Sequence, residues 1–419
     1  MNFNRFSQRI PFLWNNLILI LPLILTWTLI QIPPVDDPRL GKAHAFLCWE
    51  NSWHDFSTIF HFSKALQENP VERPYTTAGQ LETYEDWLHE TRQEVMPVSY
   101  FPTCFQLWGW LSFLSAPSAF FLWNLLGAII WLKATIELHR QFSPLRGTFL
   151  SIVIAFSSAG YFAFFFGQSA LLFAGLLILM SSRRCRSSEG EILFTSFSIL
   201  LLISKPPGAI LAWSLLIVQK RWKEFFCSLL APIVITFIFC YHHGGVQTLV
   251  DYIDWIRSCN VVSIGDSFSK AITPLFQSNW IAFAIEKTSL SLISIHRLNQ
   301  IFLFGGLGVG GGLIYFKKID LRQAPLGGAW LYLLFSPYLV ITEDLIAGWI
   351  VYQWGKRHPH RLPWAMGWLL LLLNTSQAYA VVFPEFFYLH PVSWGIKLGG
   401  FFYWLWSEMR FSKSTDFLR

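Results

Sequence analysis

The chain has 419 residues, of which 53% are hydrophobic and 13% are charged, and its formal net charge is +6. Because soluble domains carry about 25% charged residues, this composition excludes an ordinary soluble enzyme. The basic residues lie in short clusters between apolar runs, an arrangement typical of cytoplasmic membrane loops, so no nucleic-acid partner is expected.

Long uncharged runs recur along the chain, and each exceeds the roughly 20 residues that a membrane-spanning helix needs. They are continuously apolar rather than alternating, which excludes a membrane β-barrel. The sequence therefore predicts an all-α integral membrane protein, a single polytopic domain over 1–419 with about ten to twelve transmembrane helices. The runs are Ile10–Val35, Val95–Leu132, Gly147–Ser182, Phe225–Val250 and Leu362–Pro384.

The first predicted span covers residues 10–33 and is too long for a signal-peptide core. Arg5 and Arg9 place its amino-terminal end in the cytoplasm, so the following segment, 34–99, is an external loop. That loop holds 11 of the 25 acidic residues and only five Lys or Arg. Within it, FSTIFHFSKALQ has apolar residues at helical spacing and predicts an interfacial amphipathic helix.

The remaining spans are predicted over 100–408, with basic clusters on the cytoplasmic side. The run Val95–Leu132 admits two spans, or one span preceded by an interfacial segment. We favour one, because two crossings would put the cluster SRRCR outside. The basic clusters are HRQFSPLR (139–146), SRRCR (182–186), QKRWK (219–223), FKK (316–318), GKRHPHR (355–361) and the C-terminal SEMRFSK.

Asp55 is the first candidate for chemistry, since it follows the first span and begins the predicted interfacial helix. One interpretation is a solvated loop acid, since ten other acids share the loop. The other is a general base that takes a proton from an acceptor hydroxyl beside a lipid-bound donor. His54 tunes that base, contacts the acceptor or a metal, or faces water.

Lys205 lies between two apolar runs, where a charge must face a protein cavity or snorkel to the interface. Pro206, Pro207 and Gly208 follow it, and we expect this break to leave backbone donors for a phosphate at the start of the next helix. The six Cys show no metal-binding spacing, so neither a zinc site nor a disulfide is predicted.

Three further residues have two interpretations each. Gln168 either forms a hairpin tip with Gly167 or binds sugar or phosphate oxygens. Glu343 and Asp344 either mark a loop boundary or contact the acceptor or a metal. No metal ligand set is predicted, and a requirement for a divalent ion stays open.

Several motifs, in their order and spacing over most of 50–345, resemble the glycosyltransferase family 87 membrane enzymes. These enzymes are similar to bacterial polyprenyl-phosphate-mannose-dependent mannosyltransferases. The chain departs from the family pattern where Tyr-Pro-Pro is Tyr-Phe-Pro and where the His after the Ser-Pro corner is missing. The motifs are DFSTIFHFSKALQENPVERPY (55–75), YFP (100–102), SAPSAFFLWNLL (115–126), GQSALLFAGLLIL (167–179), SKPPGAILAWSLLIVQKRWKEF (204–225) and SPYLVITED (336–344).

This resemblance implies a GT-C type multi-span helical bundle with interfacial helices in the first external loop. It implies that Asp55 is the catalytic base, that the donor is a sugar on a polyprenyl phosphate, and that the acceptor is a glycan or glycolipid. Lys205, Gln168 and Tyr100 are then expected to bind the donor phosphate or sugar. The expected location is the inner or plasma membrane, with the lipid bilayer as partner and the active site on the external face.

Three alternatives compete with this function. A transporter or flippase of a lipid-linked saccharide is disfavoured, because the chain shows no paired broken helices in two related halves. A surface-polysaccharide polymerase or ligase would share the membrane and the carrier, but such enzymes commonly keep their large loop late in the chain. A cytoplasmic nucleotide-sugar enzyme is disfavoured, because no Gly-rich loop follows a strand.

Overall fold

A computed structural model describes a large part of the chain as helices. The described residues are Ile24 and the ranges 54–68, 71–76, 78–79, 82, 100–157, 159–160, 163, 169–182, 187–259, 292–316, 318–335, 344–374 and 389–416. Nearly all of the predicted first span and much of the external loop therefore lie outside the described residues.

Fourteen α-helices account for most of these ranges, and the described residues contain no strand, so the all-α prediction is confirmed. The helices are α1 (His54–Glu68), α2 (Pro102–Trp108), α3 (Ala116–Gln141), α4 (Pro144–Ala155), α5 (Ala170–Met180), α6 (Ser188–Leu202), α7 (Pro206–Val218), α8 (Trp222–His242), α9 (Gln247–Cys259), α10 (Leu292–Tyr315), α11 (Ala324–Phe335), α12 (Ile346–Arg357), α13 (Leu362–Asn374) and α14 (Leu389–Asp416).

Local sequence explains where several helices begin. Pro102, Pro144 and Pro206 each occupy the first helical position, where a missing N–H costs nothing and the fixed φ favours a helix. Ser143 and Ser187 cap α4 and α6, with side chains that accept hydrogen bonds from backbone N–H groups three residues on.

The run Val95–Leu132 contains one long helix. Short α2 and a 3₁₀ turn, Gly109–Phe113, precede α3, which is 26 residues long and ends with His139 and Arg140 in its last turn. Its 26 residues extend about 39 Å, enough to cross a bilayer once. This is the single-helix arrangement that the charge pattern favours.

Helix α5 lies inside the bundle, and all 11 of its residues are buried. It packs against α3 on one side and α12 on the other, and α12 in turn packs against α11 and α13. Helix α11 contacts α7, α10 and α14, while α6 and α8 pack together beside α7.

The described parts of several basic segments lie together at one end of the bundle, which we call the basic end. Tyr352 on α12 donates a hydrogen bond to Glu137 on α3, over 3.4 Å. Arg357 lies 3.5 Å from Asp320 before α11 and 3.4 Å from Glu408 on α14. Polar contacts therefore join α3, α12, α14 and the linker before α11 at this end.

Arg221, at the start of α8, forms the most connected buried charge of the basic end. Its guanidinium donates to Glu191 on α6 over 2.6 Å, to Thr195 over 3.2 Å and to the Met180 carbonyl at the end of α5 over 2.8 Å. The side chains of Arg221 and Glu191 are only 2% and 5% exposed. The pair fixes the ends of three helices relative to one another.

Ser181, the residue after Met180, extends this network to α12. Trp349 donates its indole N–H to the Ser181 hydroxyl over 2.8 Å, and the Gln353 amide bonds to the same oxygen. Three helix ends and α12 are thus joined through neighbouring residues at the end of α5.

The outer faces of the helices are apolar while polar groups lie inside. On α8, Leu230, Ile233 and Phe237 are more than 60% exposed, whereas Ser228 and Thr236 are buried. Among the described residues, two helices, α3 and α8, are long and apolar enough to cross a membrane by length and composition.

We predict that Glu191→Ala strongly destabilises the protein, because it removes the closest carboxylate of the buried Arg221 guanidinium and leaves the more exposed Glu224, 3.3 Å from its Nε, to balance the charge. Breaking a buried pair costs about 3–5 kcal/mol. Thermal unfolding in detergent should show a large drop in Tm.

The matched control is Glu68→Ala, which removes the exposed Lys64–Glu68 pair on α1. Exposed pairs of this kind contribute about 0.3–0.5 kcal/mol, so Tm should barely change. Equal, small shifts for the two variants would contradict the role given to Arg221.

Candidate functional site

Helix α1 places Asp55 in its first turn, because the helix begins at His54. The side chains of His54 and Asp55 lie outside the described residues. The next residue, Phe56, is fully buried, and its ring centroid lies 5.7 Å from that of Phe120 and 5.5 Å from that of Trp123, both on α3. The backbone at Asp55 therefore lies beside the first turns of α3.

The predicted amphipathic helix is present, and protein covers its apolar face. Phe62 packs against Phe105 of α2 with ring centroids 4.5 Å apart, and Lys64 and Glu68 are exposed. Burial lowers the pKa of His61, on the same helix, to about 4, so the imidazole is neutral at pH 7.

A small cleft lies where α3 passes the start of α5. Two neutral polar side chains, Asn124 and Ser169, face it together with the indole of Trp123. The remaining lining residues are Gly127, Ala163, Leu171 and Leu172. Phe56, which follows Asp55 in the sequence, contacts Trp123 in the wall of the cleft.

Ser169 is 3% exposed and occupies the N-cap position of α5. Its hydroxyl makes no capping bond, and it has no hydrogen-bond partner among the described residues. A buried hydroxyl without a partner is uncommon, because its loss of hydration is uncompensated. Sequence reasoning concentrated on Gln168, which lies outside the described residues, and overlooked the serine beside it.

Lys205 and Tyr100, two of the predicted donor-binding residues, lie together. The Lys205 ammonium is 5.9 Å from the centre of the buried Tyr100 ring, a cation–π arrangement. Backbone contacts hold the pair, since Phe101 N–H donates to the Ser204 carbonyl over 3.4 Å. Tyr75, just after α1, donates its hydroxyl to the Tyr100 carbonyl over 3.0 Å.

The expectation of free backbone donors at the start of α7 is wrong. Pro206 and Pro207 fill the first two helical positions and have no N–H. The N–H of Gly208 is already bonded to the Lys205 carbonyl over 3.0 Å. Any positive charge offered to a ligand here comes from the Lys205 side chain.

The cleft and Lys205 belong to the same end of the bundle, which we call the α1 end. A β-carbon added to Gly208 of α7 would lie 3.5 Å from Phe173 in the first turn of α5. The starts of α5 and α7 are therefore neighbours, at the end of each helix away from the basic clusters.

Asp344 lies in a buried ion pair. Its carboxylate is 2.7 Å from the ammonium of Lys397 on α14, and both side chains are 0% exposed. A carboxylate in this setting stabilises the contact between α14 and the start of α12, which favours the structural interpretation over acceptor binding. Glu343 lies outside the described residues. Lys397 was missed, although a lone lysine in an apolar segment signals a buried partner.

A second missed pair connects the external loop to α9. Arg73 donates two hydrogen bonds of 2.8 Å to the two carboxylate oxygens of Asp251. These bonds lower the pKa of Asp251 below its ordinary value and raise that of Arg73. Gly244, whose φ of 98° suits glycine, lies at the turn before α9, where Arg73 N–H donates to the His243 carbonyl.

The described residues contain no group of three His, Cys, Asp or Glu side chains able to hold a metal ion. In comparisons with known proteins, no family model, no curated protein and no solved structure matches the chain.

We predict that Asp251→Asn loosens the loop after α1, because a neutral amide cannot replace the paired carboxylate. Hydrogen–deuterium exchange should increase in 71–76 and in the first turn of α9. Asp254→Asn, at an exposed position of the same helix, should leave exchange in 71–76 unchanged. Equal exchange in both variants would contradict the pairing.

The same pair predicts a pH dependence. Since folding lowers the pKa of Asp251, its contribution to stability is complete above the unfolded value of about 3.9 and is lost as pH falls through the lower folded value. The protection factors of the amides in 71–76, in which the pH dependence of intrinsic exchange is divided out, should therefore be constant in the wild-type protein from pH 8 to about pH 5.

Proposed function

We propose that the protein is a membrane-embedded glycosyltransferase. It transfers a hexosyl unit, such as mannosyl, from a polyprenyl-phosphate-linked sugar to an acceptor at the outer face of the inner or plasma membrane. The observation that carries this proposal is the α1 end, where the first turn of α1 packs against the wall of the Ser169 cleft and the helix that follows Lys205 packs against the start of α5.

The exterior of the bundle supports the membrane part of the proposal. Exposed apolar side chains on α8 continue on α10, where Ile301, Phe304 and Val309 are each about 65% exposed. Surfaces of this kind on a water-soluble monomer would aggregate. Buried pairs such as Lys397–Asp344 on the inside complete the pattern expected of a protein whose solvent is lipid.

The contacts at the basic end support a multi-span bundle, the arrangement that the GT-C resemblance implies. There the last turns of α3 contact α12, and the end of α5 contacts the starts of α6 and α8. Among the described helices, α3 and α8 are long and apolar enough to cross a membrane, and α4, α5 and α7 are shorter apolar helices of the same bundle. The positive-inside rule then puts the basic end in the cytoplasm and the α1 end outside.

The proposed reaction is a single displacement with inversion. The Asp55 carboxylate takes the proton of an acceptor hydroxyl while the acceptor oxygen attacks the anomeric carbon. The bond between that carbon and the phosphate oxygen breaks, and polyprenyl phosphate leaves with the electron pair. The Lys205 ammonium balances the charge that develops on the phosphate.

For the base, we predict that Asp55→Asn lowers transfer from a radiolabelled polyprenyl-phosphate hexose by about 10²–10⁴-fold, the usual contribution of general base catalysis. Glu68→Gln, which changes an exposed acid on the same helix, should transfer at the wild-type rate. Full activity of Asp55→Asn would contradict the assignment of Asp55 as the general base. Movement of the intact donor across proteoliposomes without transfer would instead favour the flippase.

For the cation, we predict that Lys205→Met raises the KM for the donor by about tenfold, because the phosphate loses a charge-assisted interaction. Lys205→Arg should recover most of the affinity. The control Lys223→Met, at an exposed position of the basic end, should leave KM unchanged. Unchanged donor kinetics in Lys205→Met would contradict phosphate binding by Lys205 and favour the alternative in which its side chain snorkels to the membrane interface.

A further inference from the structure

Helix α9 leaves an apolar stripe exposed. Val250 and Ile253 are 43% and 48% exposed, and Val246, just before the helix, is 74% exposed. Residues spaced by four and three positions lie on one face of a helix, so these three aliphatic side chains form a continuous row, which we call the α9 stripe. The exposed polar residues Gln247 and Asp254 flank it.

The opposite face of α9 is fixed to the rest of the protein. Tyr252 is 8% exposed, and its ring centroid lies 5.1 Å from that of Tyr75 and 5.3 Å from that of Phe101. On the same face, Asp251 accepts the two hydrogen bonds of Arg73. The helix therefore cannot rotate to bury the stripe against the bundle without breaking these contacts.

Helix α8 places the stripe at the level where a bilayer would end. It has 21 residues and extends about 31 Å, close to the roughly 30 Å of a hydrocarbon core. It begins at the basic end and finishes at His242, and α9 follows after the turn 243–246. Phe237 and Tyr241 are exposed along the last turns of α8, so the α9 stripe continues the apolar exterior of a candidate membrane span.

The turn between the two helices directs α9 away from α8. Gly244 and Gly245 have φ of 98° and 69°, values that favour glycine, and the Gly245 N–H donates to the Cys240 carbonyl over 2.6 Å. The two helices contact each other only slightly, so α9 does not return beside α8. With 13 residues and two aspartates, α9 is also too short and too polar to cross a bilayer itself.

We propose that α9 is an interfacial anchor whose partner is the lipid leaflet at the α1 end, with the α9 stripe seated among the upper parts of the acyl chains. An amphipathic helix of this kind lies in the plane of the interface and buries its apolar face about 5–10 Å deep. A second copy of the chain fits the stripe less well, because three partly exposed aliphatic side chains offer far less than the roughly 800 Å² that each partner buries in a stable dimer.

The anchor would set the depth of the neighbouring loop in the membrane. Arg73 and Tyr75 connect α9 to the segment 71–76. The Tyr75 hydroxyl in turn donates to the carbonyl of Tyr100, whose ring centre lies 5.9 Å from the Lys205 ammonium. The lipid contact of α9 therefore constrains the height of this ammonium relative to the lipid phosphates. The inference requires that α8 crosses the membrane, and it does not depend on glycosyl transfer.

A photoreactive side chain tests the anchor directly, because it reacts with whatever lies against it. Ile253→benzoylphenylalanine is made in the full chain, reconstituted into phosphatidylcholine vesicles and irradiated, and the adducts are identified by mass spectrometry. We expect a lipid adduct at 253, in a yield several-fold above that of the same substitution at Asp254, which lies on the polar side of the stripe. Substitution at Val250 should give the same result as at Ile253.

Two further positions are controls. Phe237, exposed on α8, should give a lipid adduct, and Lys64, exposed on α1, should give little. Equal lipid yields at 253 and 254, or an adduct at 237 with none at 250 and 253, would overturn the inference. A crosslinked dimer at 253 would also overturn it, since a second copy would then cover the stripe.

The remaining outcomes separate this inference from the proposed reaction. The absence of lipid adducts at every position, Phe237 included, would overturn both the anchor and the membrane orientation. A protein that reacts with lipid at 253 but fails to transfer a sugar would support the anchor and contradict only the proposed reaction.

Discussion

The Arg221 guanidinium is the contact on which the arrangement of the bundle depends. It reaches from the start of α8 to a carboxylate on α6 and to the last carbonyl of α5, and it is almost completely buried. Removing a partner from a buried charge is strongly destabilising, so this contact stabilises the observed arrangement of the three helix ends. Ser181, the residue after that carbonyl, bonds to α12. The cleft lies at the opposite end of α5, and Lys205 follows the opposite end of α6. The Arg221 contacts at the basic end therefore also constrain the geometry of the α1 end.

Much of the helical architecture could be predicted from local signals. Proline at the first position marks the starts of α2, α4 and α7, and charge placement favoured the single long helix α3. These signals suffice because helix starts depend on a few adjacent residues. The sidedness of each end is a prediction that follows from the same charges.

Tertiary pairs could not be predicted in this way. Arg73 and Asp251 are 178 residues apart, and the sequence around each residue does not indicate that the other is its partner. The lysine at 397 carried a usable signal, since an isolated charge in an apolar segment needs a buried partner, but the identity of Asp344 as that partner depends on how α12 and α14 pack. The expected donors after Lys205 failed for a local reason, because two consecutive prolines remove the very groups that a helix start would offer.

Helix α5 has only 11 residues and so extends about 16 Å, roughly half the thickness of a hydrocarbon core. In the proposed membrane orientation, a helix this short whose carboxyl end lies level with the cytoplasmic arginines must begin well below the outer surface. The Ser169 cleft would then be sunk beneath the headgroups. A hydrocarbon-tethered substrate could enter sideways through the leaflet, whereas a water-borne acceptor would have to descend from above, and the two reactants would arrive by separate routes.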